Sequence, residues 1–148
     1  MKPSIIEQLS KKFKSELKLL TYNLEKVLNI LNRDRTNQLL IDEAFRHIHS
    51  INGAAAMMGY KKTSELSQVL EYLYDFARKE IFLTEAMLEL TYESVRMLQM
   101  LIENEEKISR DNGYQYTKLL NNLKDTRDEY QKFLDWKKKK YSEPARLQ

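Results

Sequence analysis

The stretch "FRHIHSINGAAAMMGY", residues 45–60, carries a helical repeat and then stops it. Ala44, Ile48, Ile51, Ala55 and Met58 recur at three- and four-residue intervals. That spacing lays them in one apolar stripe on an α-helix and leaves the other faces polar or small. Gly59 follows the last apolar residue and marks a helix C-terminus, because glycine reaches the left-handed conformation at no steric cost. A one-sided helix must bury its stripe against other helices, so the neighbouring segments decide the fold.

They read the same way. Before this segment, Ile6, Leu9, Phe13, Leu17, Leu20, Leu24, Val27, Leu28 and Leu31 form one stripe over residues 4–31, and "NRDRTNQ" interrupts it. The segment itself spans residues 39–58. A third helix is expected over 63–79, with Thr63 and Ser64 of "KKTSEL" as candidate N-caps. A fourth is expected over 84–107 with Thr84 as its cap, and a fifth over 114–140 after the turn signal "SRDNGY". Five helices with short connections predict an all-α, up-and-down four-helix bundle with an additional fifth helix. Helices two to five are the natural set; the alternative gives the long first helix a place and leaves the fifth outside. Residues 1–140 form a single domain in this reading, and residues 141–148 are expected to fray.

Composition supports the helical reading and removes several functions. The 148 residues include only 3 Gly and 2 Pro, against 32% charged residues, a balance suited to long helices. There is no cysteine, hence neither a disulfide framework nor a thiolate site. No apolar run approaches the roughly 18–20 residues of a membrane span. The N-terminal stretch has lysines within its apolar runs and no small-residue cleavage site, so no signal peptide is expected and the cytoplasm is the expected compartment. The net charge of +3 owes much to Lys137, Lys138, Lys139 and Lys140. These read as the solvated end of the last helix, whose C-terminus favours cations, and no nucleic-acid partner is expected. Neither a P-loop nor a dinucleotide fingerprint is present.

The chemistry rests on the two histidines, His47 and His49. At i, i+2 they point about 200° apart on a helix, so they cannot chelate one metal, and no metal site is expected. His49 lies off the apolar stripe, with Phe45 one turn before it and Gly53 and Ala56 after it. Small residues leave its imidazole clear for another macromolecule to approach. His47 lies toward the opposite margin of the stripe and has no such clearing. A mid-helix glycine costs about 1 kcal/mol against alanine, so Gly53 asks for a reason: close helix packing, or close approach of a partner.

"HSINGAAAMMG" resembles the signature of the histidine-containing phosphotransfer domain, carried here by His49, Ser50, Ile51, Asn52, Gly53 and Gly59. The downstream "LSQVLEYLYDFARKEIFLT" resembles the next helix of the phosphotransfer domain of chemotaxis-type (CheA) histidine kinases, and the likeness spans about residues 5–135. The resemblance implies that His49 takes a phosphoryl group from a histidine kinase catalytic domain and passes it to an aspartate of a response-regulator receiver. It implies that Glu71, 22 residues on, bonds the ring nitrogen that does not react and orients the ring. Gln68 stands where that pattern usually has a second polar ring partner. Asn52 replaces a lysine that helps hold the phosphoryl oxygens, and it offers a hydrogen bond without a charge. Ser50 and Gly53 complete the supporting set.

ATP would then be held by the kinase domain and Mg²⁺ by the receiver, so no cofactor belongs to this chain. The chain is too short for the nucleotide-binding and dimerisation domains of a whole kinase. It is therefore either a free-standing phosphotransfer protein or a piece of a larger kinase, and it cannot phosphorylate itself. The alternative function is an unphosphorylated binding or adaptor module for a receiver or kinase, to which the Asn52 replacement lends some weight.

Overall fold

Each apolar stripe becomes a helix in the computed structural model, which describes residues 4–80 and 82–142. The helices are α1 (Ile5–Leu31), α2 (Gln38–Met57), α3 (Lys61–Glu80), α4 (Glu85–Asp111) and α5 (Gly113–Ser142). Ser4, Asn37 and Thr84 cap the first, second and fourth, accepting from the amides of Glu7, Leu40 and Met87 at 3.1, 3.2 and 3.1 Å. The third start differs from expectation. Thr63 and Ser64 lie inside the first turn of α3, so neither is its cap. Glu105 of α4 supplies the missing acceptor across the bundle, taking the amides of Lys62 at 2.5 Å and Thr63 at 3.3 Å.

Glu105 reaches that position because α4 bends. Asn104 leaves helical geometry (φ −161°, ψ 93°), and its Oδ1 accepts from the Lys107 amide at 3.1 Å, restarting the helix as a cap would. The helix then runs to Asp111, beyond the expected end at 107, and the turn shrinks to Asn112, whose amide still bonds the Ile108 carbonyl at 2.8 Å.

α1 packs on α2 and α4, α2 on α3, and α3 on α4, which closes a four-helix ring; α5 lies outside against α3 and α4. The long first helix therefore takes the fourth place in the bundle, and the set of helices two to five is not the one formed. Burial explains the choice. α1 buries Leu17, Thr21, Leu24, Val27, Leu28 and Leu31, whereas α5 buries only Tyr116, Leu119, Leu120 and Leu123. Farther along, α5 is pinned to α3 by side-chain contacts: Tyr130 stacks on Phe76 at 4.5 Å and Lys137 pairs with Glu80 at 2.7 Å.

Buried hydroxyls of the core bond a carbonyl or one another, except Thr63 Oγ1, which has no partner among the described residues. The Tyr74 hydroxyl, wholly buried, donates to Thr91 Oγ1 at 2.9 Å, and Thr91 donates onward to the Met87 carbonyl at 2.6 Å. Burial drives the Tyr74 phenol far above its ordinary range. Among the described residues no helix is long and apolar enough to cross a membrane. Tyr141 and Ser142 remain in α5, and the rest of the expected frayed tail, residues 143–148, lies outside the described residues.

Candidate functional site

α2 ends where the sequence places a glycine. Gly59 adopts φ +74°, the Tyr60 amide bonds the Ala55 carbonyl at 2.9 Å, and the Gly59 amide bonds Ala56 at 3.2 Å. These two bonds close a Schellman motif and turn the chain back into α3. In such an antiparallel hairpin, residues equally far from the turn lie at the same level. His49 and Glu71 stand eleven positions either side of Tyr60, so the spacing of 22 is the spacing of facing residues.

They meet. His49 Nδ1 lies 2.6 Å from Glu71 Oε1. An ionised carboxylate has no proton to give, so the proton of this bond sits on Nδ1. In the neutral ring Nε2 then carries the lone pair, on a side chain that is 68% exposed, while Glu71 is only 22% exposed. A ring fixed in that tautomer on an open surface can act as a nucleophile toward a group presented by another molecule.

Asn52 does something other than the sequence suggested. Its Nδ2 donates to Glu71 Oε2 at 3.0 Å, and its Oδ1 accepts from the Ser64 hydroxyl at 2.8 Å. Its amide is thus committed to the carboxylate behind the ring instead of standing free to hold phosphoryl oxygens. The reason is position: Asn52 is one turn after His49, on the side of α2 that meets α3. Glu71 consequently has both oxygens occupied, one by His49 and one by Asn52.

Phe45 stacks beside His49, with ring centroids 6.1 Å apart and planes 18° from parallel. The Arg78 guanidinium covers Phe45 at 3.9 Å and is held by Asp75 at 2.7 Å. Burial alone would raise the Asp75 carboxyl; hydrogen bonds from Lys79 and Arg78 outweigh it and hold the group below its usual range. A shallow depression beside the ring is bordered by Phe45, Asn52, Glu71 and Arg78.

The remaining expected residues divide. Gly53 is exposed, and a Cβ there would meet nothing within 4 Å. Close helix packing is therefore not the reason for this glycine, and an open surface remains. Ser50 and Gln68 are exposed, and among the described residues neither makes a side-chain hydrogen bond, so Gln68 is not a second ring partner. His47 is turned inward, its side chain 20% exposed; Nε2 is 3.5 Å from Glu43 Oε1, without hydrogen-bond geometry. Among the described residues no group of three or more His, Cys, Asp or Glu is placed to hold a metal ion. Two residues escaped the sequence reading: Ser64, taken for a helix cap, and Arg78. Hairpin symmetry about residue 60 faces Asn52 with Gln68 and Phe45 with Asp75; Ser64 lies one turn before the first and Arg78 one turn after the second, positions the symmetry alone does not single out.

The chain matches the family model of the Hpt domain over residues 8–111, that is, α1 to α4 without α5. It is 29% identical over 99 residues to the chemotaxis protein CheA of Treponema pallidum (strain Nichols), covering 66% of this chain and 12% of that protein. It is 30% identical over 81 residues to the chemotaxis protein CheA of Bacillus subtilis (strain 168), covering 54% of this chain and again 12% of the relative. The chain thus spans only a small part of the length of the curated relatives it matches. Among solved structures, the CheA phosphotransferase domain from Thermotoga maritima superposes with a TM-score of 0.63 at 31% identity, covering 68% of this chain and 96% of that domain.

Proposed function

The chain belongs to the Hpt domain family and has a histidine phosphotransfer role in two-component signalling; on that premise we propose that His49 is its phosphoryl carrier. The Nε2 lone pair attacks the γ-phosphorus of ATP held by a histidine kinase domain. The N–P bond forms as the P–O bond to ADP breaks, and ADP leaves with that electron pair. In the second step a receiver aspartate, with Mg²⁺ bound by the receiver, attacks the phosphorus. The N–P bond breaks and its electrons return to Nε2. Glu71 holds the Nδ1 proton throughout, and stabilises the positive charge that the ring gains as the N–P bond forms.

One observation carries this reading: an exposed imidazole held by a carboxylate at 2.6 Å on Nδ1, next to a glycine that faces open space. The unphosphorylated binding module drew its support from the missing lysine at Asn52. That support weakens once Asn52 serves Glu71. Incubation with a kinase catalytic core and labelled Mg·ATP tests the proposal. Acid-labile, alkali-stable label is expected on the wild type and on His47→Gln and none on His49→Gln; label that survives in His49→Gln and vanishes in His47→Gln refutes the assignment.

A further inference from the structure

We propose that Ser64 is a positioning residue for His49, acting through Asn52 and Glu71; this rests on His49 being the phosphoryl acceptor. The direction of every bond in the chain is fixed by one end of it. The Glu71 carboxylate only accepts, so Asn52 must present its NH₂ to Oε2, at 3.0 Å. That orientation turns Oδ1 toward Ser64, whose hydroxyl must then donate, as the 2.8 Å contact provides. An asparagine amide can flip at little cost, and the flipped form would set its carbonyl oxygen against a carboxylate oxygen. Glu71 disfavours that flip; Ser64, by tethering Oδ1, holds the Asn52 side chain in the rotamer that reaches Oε2. With the amide locked, Oε2 is held and Oε1 is left for Nδ1 of His49 at 2.6 Å.

The arrangement compensates for a missing charge. A cation at position 52 would be drawn to Glu71 by electrostatics alone, whatever its rotamer. A neutral amide is drawn more weakly, and a second bond keeps its side chain in the rotamer that reaches the carboxylate. Ser64 sits on the first turns of α3, on the α2 side, and its side chain is partly buried. Its hydroxyl spends its proton on Asn52, whereas the buried Ser67 on the same helix bonds the Thr63 carbonyl at 2.7 Å, four residues back in its own helix.

Ser64→Ala tests this without threatening the fold, since alanine is the better helix former. Ser64→Thr, which keeps a hydroxyl, is the conservative control. Two readouts are required. The ¹⁵N resonances of the unphosphorylated His49 ring report the tautomer, and the initial rate with a kinase core reports transfer. Ser64→Ala should shift the ring toward an averaged tautomer and slow phosphorylation by about three- to ten-fold, the scale of one neutral hydrogen bond. Ser64→Thr should restore both. In Asn52→Ala the further change Ser64→Ala should have no effect, because the two share one route. Wild-type resonances and rate in Ser64→Ala overturn the proposal, as does additivity with Asn52→Ala. The tautomer readout needs no phosphate, so it still tests Ser64 if the wild type takes no label, the result that would instead remove the phosphoryl-carrier reading.

Discussion

Replacing Glu71 with alanine removes the acceptor of the 2.6 Å bond to His49 Nδ1 and leaves Asn52 Nδ2 without its partner. A hydrogen bond to a charged group contributes roughly 1.5–3 kcal/mol. His49 is 68% exposed and Glu71 22% exposed, so water competes for the donor and the carboxylate. That competition reduces the contribution to about 1–2 kcal/mol, and a loss of this size in the transition state slows transfer by about 5- to 30-fold. The assay is the initial rate of His49 phosphorylation by a fixed amount of kinase core, measured across chain concentrations. Because Glu71 orients the ring and is itself mostly covered, kcat should carry the loss and KM should stay within about two-fold. Circular dichroism controls for the fold, and alanine suits the middle of α3. A raised KM with an unchanged kcat would mean that Glu71 touches the partner. A neutral variant would mean that the carboxylate does not set the ring at all.

Other substitutions separate stability from function. Gly53→Ala should stabilise the protein by about 0.5–1 kcal/mol in urea denaturation, because the added Cβ meets no neighbour; Gly53→Leu should fold as well yet transfer more slowly, and wild-type transfer would show that partners do not approach there. Glu105→Ala should cost about 1 kcal/mol by the same measurement, since it uncaps two amides of α3. Tyr74→Phe should cost a similar amount, about 0.5–1.5 kcal/mol, since Thr91 keeps its bond to the Met87 carbonyl.

The sequence by itself determined the elements and their faces. Periodicity is a local property of the helix, so the stripe through Ala44, Ile48, Ile51 and Ala55 names buried positions before any partner helix is known. Gly59 likewise announces the end of α2, because its left-handed φ of +74° is a property of one residue. His49 was legible as the free histidine from the small residues after it, and Glu71 from its resemblance-based spacing, which the hairpin turns into a contact. What the tertiary structure decided is everything that depends on which helices meet. Each stripe asks only for some apolar partner, and it is the assembled bundle, with the larger burial of α1, that gives α1 and not α5 the fourth place in the ring. A cap for α3 that comes from α4 has no local signature, so Thr63 and Ser64 stood in for Glu105. The role of Asn52 was hidden for the same reason: a side-chain amide has a donor and an acceptor, and only the packing of α2 on α3 determines that Glu71 takes one and Ser64 feeds the other.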